Sequence, residues 1–171
     1  MGVESGRRWP VMVVLAVLVW LAATPPAAGV GVRPVGGRVV RAFDPPDQPW
    51  LAGHRGIDLQ AEVGDRVRAV ADGRIGFAGE VGGKPVVTVL HDGVRTTYEP
   101  VRATTSVGDR VRAGDIIGHL VDGHACGGGV ASCLHLGLLR GDVYLDPMLL
   151  FENPPIRLLS EADAVRIARH G

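Results

Sequence analysis

Apolar side chains occur in short runs between residues 38 and 151, and none of these runs continues with the 3.6-residue period of an amphipathic helix. β-Branched residues are frequent within the runs, and Gly and Asp separate them. This pattern predicts an all-β fold, a sandwich or barrel with an antiparallel sheet core. The predicted strands are Val67–Val70, Arg74–Ala78, Val86–Leu90, Arg95–Tyr98, Asp115–Leu120 and Cys133–Leu139.

Two Asp-Gly pairs lie between predicted strands. Asp72-Gly73 separates the first strand from the second, and Asp92-Gly93 separates the third from the fourth. Asp-Gly favours the two-residue turn of a β-hairpin because Gly adopts a positive φ without strain. We therefore predict a hairpin at each pair.

The segment Val-Gly-Asp-Arg-Val-Arg-Ala occurs twice, at residues 63–69 and 107–113. Each copy leads through a Gly into an Ile-containing strand, around Ile75 and around Ile116-Ile117. Two interpretations are open. The copies form two similar hairpins, or they mark a duplicated half-barrel in which a strand leaves a Gly-Asp turn.

Residues 1–28 have the pattern of a secretory signal peptide. Arg7 and Arg8 precede an apolar run at 11–23, and small or helix-breaking residues follow at 24–29. The run is shorter than the roughly 20 residues that span a bilayer. We therefore expect cleavage and no stable membrane span, with an uncleaved anchor as the alternative.

The rest of the chain divides into three parts. We expect a linker at 29–37, a single β-sheet domain at 38–151 and a tail at 152–171. In the tail, Ser160 can cap a short helix from Glu161 to about Arg169.

Composition and charge limit the functional classes. The 171 residues are enough for one domain of ordinary size, and 46% of them are hydrophobic, which is enough for a core. Basic and acidic residues balance at 18 each. Zero net charge argues against nucleic-acid binding, which needs a basic face to displace counterions from phosphates.

The chain has two cysteines, Cys126 and Cys133. Outside the cytoplasm, a pair this close in sequence most often forms a disulfide. The loop that this bond closes is short, so its entropic gain is small. We expect the bond to pin the glycine-rich stretch at 127–129.

Candidate chemistry is concentrated in His54, Asp58 and His135. His54 and Asp58 are four residues apart, and Cys133 and His135 share one face of a predicted strand. Two nitrogen ligands, one carboxylate and an open position make a hydrolytic zinc site, which acidifies a water and polarises a carbonyl. Taken alone, the His54–Asp58 pair is better explained as a surface loop with an incidental hydrogen bond.

Four segments follow one another in a characteristic order. They are His-Arg-Gly-Ile-Asp-Leu at 54–59, Val-Leu-His-Asp-Gly at 89–93 followed by Thr97-Tyr98, Gly-Asp-Ile-Ile-Gly at 114–118, and Leu134-His135. This order resembles that of the LytM/lysostaphin-type zinc metallopeptidases, over roughly residues 53–151. The resemblance implies a duplicated, hybrid-type β-sheet core, and a secreted or envelope enzyme that cuts the peptides of bacterial peptidoglycan.

The resemblance also implies a ligand set for one Zn²⁺ per chain. His54 and Asp58 match the first two zinc ligands of the family. His135 matches the third, which is the second histidine of a His-x-His pair. His91 matches a recurrent position before a hairpin turn, and we interpret it as structural.

Two positions depart from the family pattern. Pro100 stands where a Tyr-x-His motif has its histidine, and Cys133 replaces the first histidine of the His-x-His pair. In the family, those histidines orient the water and stabilise the tetrahedral intermediate. Loss of one such donor costs roughly 100- to 1,000-fold in rate, so an active peptidase needs a replacement.

The candidate replacements are Glu99, His119 and His124. Glu99 adjoins the lost position, but a strand neighbour points to the opposite face unless a bulge re-aims it. His124 lies close to Cys126, on a loop that would cover the site. The simpler interpretations are a surface carboxylate, a packed or exposed strand histidine and a solvated loop histidine.

Two other interpretations are open. A catalytically weakened pseudo-enzyme would bind zinc or peptidoglycan and regulate cell-wall hydrolysis, although the chain keeps all three ligand positions. Alternatively, a reduced Cys133 would complete a closed His-Asp-Cys-His site with no catalytic water. Oxidation of Cys133 with Cys126 would remove that thiolate.

Overall fold

The computed structural model describes residues 31–48, 50–124, 126 and 132–151. These residues form eleven β-strands and one single-turn 3-10 helix, so the predicted all-β class is confirmed. In chain order the elements are β1 (Val39–Arg41), β2 (Ile57–Gln60), β3 (Arg66–Arg68), β4 (Gly73–Val81), β5 (Lys84–Leu90), β6 (Arg95–Glu99), β7 (Val101–Ala103), β8 (Arg110–Val111), β9 (Ile116–Leu120), β10 (Cys133–Arg140), β11 (Val143–Leu145) and the 3-10 helix (Pro147–Leu150).

The strands form two antiparallel sheets. The larger sheet has the order β1-β2-β10-β6-β5-β4-β8, with β11 paired to β10, and the smaller has the order β3-β9-β7. Side chains that face between the sheets are almost entirely apolar. They include Ile57, Leu59, Val67, Ile75, Val87, Val89, Ile117, Leu120, Leu134 and Leu136.

All six predicted strands are present, and five short strands were missed: β1, β2, β7, β8 and β11. Each of the five has only two to four residues. The predicted signal peptide and the predicted tail helix lie outside the described residues. Within the described residues, no helix has the length and apolar character needed to cross a membrane.

Of the two predicted hairpins, one is confirmed and one is wrong. Asp92-Gly93 joins β5 to β6, which pair with Leu90 opposite Arg95. Asp72-Gly73 joins strands of different sheets, since β3 pairs with β9 while β4 pairs with β5 and β8. The Asp72 carboxylate accepts a hydrogen bond from the distant N–H of Ala113. The hairpin beyond β4 turns instead at Gly82-Gly83, where both φ angles are positive.

The two repeat copies have the same local structure. Gly64 and Gly108 adopt φ angles of 95° and 96°. The next residues, Asp65 and Asp109, each accept a hydrogen bond at 2.8 Å from the backbone N–H three positions earlier. A left-handed Gly followed by a self-capping Asp therefore ends each turn and starts the strand that leaves it.

Neither repeat copy forms a self-contained hairpin. The strand of the first copy, β3, pairs with β9, which follows the second copy. The strand of the second copy, β8, pairs with β4, which follows the first. The two halves thus exchange strands, which favours the duplicated-half interpretation over two independent hairpins.

Residues 31–37, which we expected to form part of a linker, pack against the domain. The N–H of Gly31 donates to the carbonyl of Leu150, and that of Val32 donates to the carbonyl of Val70. Val35 is buried in the core. Residues 31–37 are therefore in contact with the β-sheet domain, while the domain boundary at 38 stays a prediction.

Candidate metal centre

Three polar side chains form a row across the larger sheet. His135 on β10 lies directly opposite Asp58 on β2 and directly opposite Glu99 on β6. Residues directly opposite on antiparallel strands project from the same face of the sheet. The register therefore places two carboxylates and one imidazole on the same face.

His54 reaches this row from the segment before β2. Its backbone N–H and carbonyl both bond to the backbone of Asp44, which fixes the chain at this point. Its ring Nδ1 lies 2.6 Å from the carbonyl oxygen of Ala42. The opposite ring nitrogen, Nε2, lies 2.9 Å from Oδ1 of Asp58 and 3.1 Å from Nδ1 of His135.

The three predicted metal ligands are thus in mutual contact. The remaining distance, from Nδ1 of His135 to Oδ1 of Asp58, is 2.8 Å. A fourth side chain joins them, because Nε2 of His124 lies 3.0 Å from the same Asp58 oxygen. One donor atom from each of the four residues lies within 4.8 Å of the donor atoms of the others, so the group can hold a metal ion.

The backbone holds one ring nitrogen of His54. A carbonyl oxygen only accepts a hydrogen bond, so Nδ1 of His54 donates to Ala42, and Nε2 is directed at Oδ1 of Asp58 at 2.9 Å. Zinc-ligating histidines commonly make such a hydrogen bond from the other ring nitrogen.

The side chain of Asp58 also has the properties of a metal ligand. Its side chain is fully buried, and its second oxygen, Oδ2, has no hydrogen-bond partner among the described residues. Burial alone would raise the pKa of Asp58. Hydrogen bonds from His124 and His135, with the attraction of His124 and His54, outweigh burial and hold the pKa well below its usual range. A buried carboxylate that stays ionised and has a free oxygen suits a metal ligand.

Gly56 allows His135 to approach. A Cβ built on Gly56 would lie 2.6 Å from Nε2 of His135 and in collision with the carbonyl of Leu136. The glycine in the His-Arg-Gly-Ile-Asp segment is therefore a close-packing position rather than a turn. Its φ is not in the positive range.

A disulfide joins Cys126 to Cys133, as predicted. Cys133 is buried and its sulfur is bonded, so the closed His-Asp-Cys-His site suggested as an alternative does not form. The residues between them that we expected the bond to pin, 127–129, lie outside the described residues. The bond does fasten the chain two residues after His124 to the strand that carries His135.

The three candidate replacement residues have different positions. His124 has a side chain only 12% exposed and is part of the cluster, so it is not a solvated loop residue. Glu99 is half-buried, with Oε1 3.8 Å from Nδ1 of His124 and 3.8 Å from Nζ of Lys84. Contrary to our expectation for this strand position, Glu99 projects from the site face. His119 lies on β9 of the smaller sheet, opposite Arg66 and Arg102, and is not in the cluster.

His91 and Tyr98 take part in a separate buried network. Nδ1 of His91 lies 2.7 Å from the carbonyl of Asp72, and Nε2 lies 2.8 Å from Oγ1 of Thr96. Oη of Tyr98 lies 3.0 Å from that hydroxyl and accepts the N–H of Val70. These contacts agree with our structural interpretation of His91.

One contact of the site, the hydrogen bond between His54 and Ala42, could not be predicted from the sequence. The Ala42 carbonyl that fixes the tautomer of His54 belongs to a residue twelve positions away, with no distinctive side chain. The isolated bridge between Asp44 and His54 brings it there. A bridge of one residue pair leaves no hydrophobic pattern, so only the folded backbone reveals it.

The sequence profile of peptidase family M23 matches residues 52–147, which is more than half of the chain and includes all four clustered residues. An uncharacterized protein of Mycobacterium tuberculosis is 44% identical over 125 residues, covering 70% of this chain and 50% of that protein. A glycyl-glycine endopeptidase of Staphylococcus capitis is 43% identical over 70 residues, covering 38% of this chain and 19% of the relative. The chain therefore spans about half the length, or less, of these curated relatives.

Solved structures share the fold. The catalytic domain of the antimicrobial peptidase lysostaphin from Staphylococcus simulans aligns with a TM-score of 0.57 and 25% identity, covering 68% of this chain and 93% of that domain. Csd3 of Helicobacter pylori aligns with a TM-score of 0.61 and 22% identity, covering 82% of this chain and 38% of Csd3. The lysostaphin comparison matches nearly the whole of a catalytic domain.

Proposed function

Because the chain belongs to peptidase family M23, we propose that it is a zinc-dependent endopeptidase that cuts peptide bonds of bacterial peptidoglycan outside the cytoplasm. The observation that carries the proposal is the mutual contact of three donor atoms: Nε2 of His54, Oδ1 of Asp58 and Nδ1 of His135. Two imidazoles and one carboxylate are the ligand set of a catalytic zinc site that keeps one position open.

In this proposal, zinc bound by these residues supplies Lewis acidity, which lowers the pKa of a water and polarises the scissile carbonyl. The protein fixes the ligands. The Ala42 carbonyl holds the tautomer of His54, and the strand register holds Asp58 opposite His135. Hydrolysis also needs a group that carries a proton from the attacking water to the leaving amine.

We assign this proton transfer to His124. The described hydrogen bond of His124 within the cluster goes to Asp58, whereas the three ligands all contact one another. His124 thus lies at the side of the ligand triad. Glu99 lies 3.8 Å from its other nitrogen, Nδ1, and a carboxylate there would stabilise the ring when it takes up a proton during turnover.

Five observations support the proposed substrate class and the proposed location. One relative is a glycyl-glycine endopeptidase, and one structural neighbour is an antimicrobial peptidase. The order of motifs resembles enzymes that act on the cell wall. The disulfide and the apolar run at 11–23 suit a protein exported to an oxidising compartment.

A second candidate function is a zinc- or peptidoglycan-binding domain that regulates cell-wall hydrolysis. The observation that favours it is the fourth histidine. If His124 binds the metal as well, the site has four protein ligands and no open position, which is the pattern of structural zinc sites. Pro100 and Cys133, in place of the two helper histidines, point in the same direction.

The test pairs metal content with activity. We would measure zinc by elemental analysis on the exported, purified chain, and the soluble fragments released from purified peptidoglycan with and without a chelator. The proposal expects about one zinc per chain and release that the chelator abolishes. His135→Ala should lose both, and His119→Ala, a matched histidine outside the cluster, should keep both.

Two results would overturn the proposal. Zinc without any release across several wall chemistries would favour the regulatory candidate. Full zinc retention in His54→Ala, Asp58→Ala and His135→Ala would refute the ligand assignment itself.

A further inference from the structure

We infer that Cys126 and Cys133 are positioning residues of the catalytic centre, because the disulfide between them holds His124 against Asp58. This inference rests on the proposed function and extends it. It makes the oxidation state of the cysteine pair a condition for activity but not for metal binding.

The connection that carries His124 has few other attachments. It leaves β9 after Leu120, and the N–H of Val121 donates to the carbonyl of Pro100. Among the described residues, no hydrogen bond joins the backbone N–H or carbonyl of residues 122–124 to the backbone of the rest of the domain. The next fixed point along the described chain is Cys126, bonded to Cys133 on β10.

The covalent path from His124 to the metal ligands is short. His124 precedes Cys126 by two residues, and Cys133 precedes His135 by two residues. The Cα atoms of the two cysteines are 5.8 Å apart, and the ring centroids of His124 and His135 are 5.2 Å apart. The crosslink and the two rings therefore lie side by side, so release of the sulfur bond frees the end of the segment nearest the site.

Among the described residues, His124 has few side-chain contacts that could replace this attachment. Its ring makes one described hydrogen bond, to Asp58, and lies beside the ring of His135, while Nδ1 is buried without a hydrogen-bond partner in the described structure. The approach of Glu99 to Nδ1, at 3.8 Å, is longer than a hydrogen bond. By contrast, His135 lies in a strand paired on both sides, with β2 and β6.

A double-mutant cycle tests this inference. We would compare the unmodified chain with His124→Ala, with the pair Cys126→Ser and Cys133→Ser, and with all three changes together. Each set should lower the rate of fragment release roughly 100-fold, as expected when a general acid–base group is lost. The triple change should be no slower than His124→Ala alone, and all should keep about one zinc per chain.

A disulfide that only stabilises the fold gives a different result. Its loss would lower the melting temperature but leave the effect of His124→Ala unchanged, so the two effects would multiply. Multiplied losses, or full activity in the chain without the disulfide, would overturn the inference. Circular dichroism at the assay temperature confirms that each variant compared is folded.

An NMR arm separates this inference from the proposed function. If the oxidised chain holds zinc but releases no fragments, the proposed function fails, and the ring signal of His124 still reports its position. We expect that signal to shift when the two cysteines are changed to serine, while the ring signal of His119 stays in place. An unchanged His124 signal would refute the role of the disulfide.

A rescue variant covers the case in which the cysteine-free loop perturbs the domain. Cys133→His combined with Cys126→Ser and His124→Ala supplies an imidazole from β10 itself, on the face of His135. A recovery of at least tenfold over the triple serine and alanine variant supports the inference. A folded, zinc-loaded rescue variant without recovery contradicts it.

Discussion

Asp58 and His135 lie on paired strands in the interior of the larger sheet, whereas His124 lies on a connection whose nearest described attachment is a disulfide. On the strand side, the hydrogen-bond register alone brings Asp58, His135 and Glu99 to one face. On the loop side, the contacts of His124 within the described residues are the disulfide at Cys126, a side-chain hydrogen bond to Asp58 and a ring contact with His135. The two sides of the centre are therefore held by different kinds of interaction.

This difference indicates how freely the residues on each side can move. A ligand fixed by strand register moves only if the sheet moves, so its geometry is stable. A proton-transfer group on a loop can shift along the sequence, provided that something fastens the loop.

The largest effect is expected from Asp58→Asn. The amide keeps the shape but loses the charge that binds a cation, so zinc affinity should fall roughly 100- to 1,000-fold, a ligand's share of the binding free energy of a zinc site. Competition with a chromophoric chelator measures this change. His124→Ala, on the loop side, should alter zinc affinity far less. Equal losses in the two variants would remove the distinction and make His124 a metal ligand.

Part of this site could be predicted from the sequence. Asp58 and His54 stand in one short motif, and His135 follows the same order of segments as the family. We expected the side chain of Glu99 to project from the face opposite the site, and this expectation was wrong. Strand alternation counted from Pro100 does not take the pairing register into account. That register, with His135 opposite Glu99, appears only once β6 and β10 are paired.

The fold, like the site, could be predicted only in part from the sequence. Six strands and the Gly-Asp turns follow from local sequence, since β-branched runs and Gly act over a few residues. The exchange of strands between the repeat copies does not, because β3 and β8 each pair with a strand more than thirty residues away. For the same reason, Asp72-Gly73 has the sequence of a hairpin turn but connects the two sheets.

A sharper test of the strand side is Gly56→Ala. The added methyl would meet Nε2 of His135 at 2.6 Å and collide with the backbone of Leu136, so His135 must shift. Displacing a ligand without removing it should weaken zinc binding roughly 10- to 100-fold. Gly36→Ala is the matched control because nothing lies within 4 Å of a Cβ at that position. Unchanged zinc affinity in Gly56→Ala would show that the sheet does not hold His135 rigidly.

Glu99→Gln compares the two sides at their point of contact, since Glu99 is on a strand but faces the loop histidine. The amide carries no charge to stabilise His124 when its ring takes up a proton, so turnover should fall about tenfold with zinc content unchanged. Glu80→Gln, at an exposed glutamate on β4, is the control. Loss of zinc in Glu99→Gln, or a KM effect without a kcat effect, would exclude this positioning role.

The smallest effect on the centre is expected from Tyr98→Phe, which probes the sheet beneath it. Burial raises the pKa of Tyr98 to about 12, although Thr96 and the N–H of Val70 oppose that rise. Between pH 10 and 12 the folded chain keeps a proton that the unfolded chain loses, so stability should fall as pH rises through this range. Tyr98→Phe should cost roughly 1 kcal/mol at neutral pH, because the Val70 N–H loses its acceptor, and should remove the dependence above pH 10. Denaturant titrations across this range measure both effects.

Serine at both cysteines, Cys126 and Cys133, should leave this pH dependence of stability intact, since the strand side does not rely on the disulfide. Loss of the pH dependence in that variant would show that the two sides form a single cooperative unit.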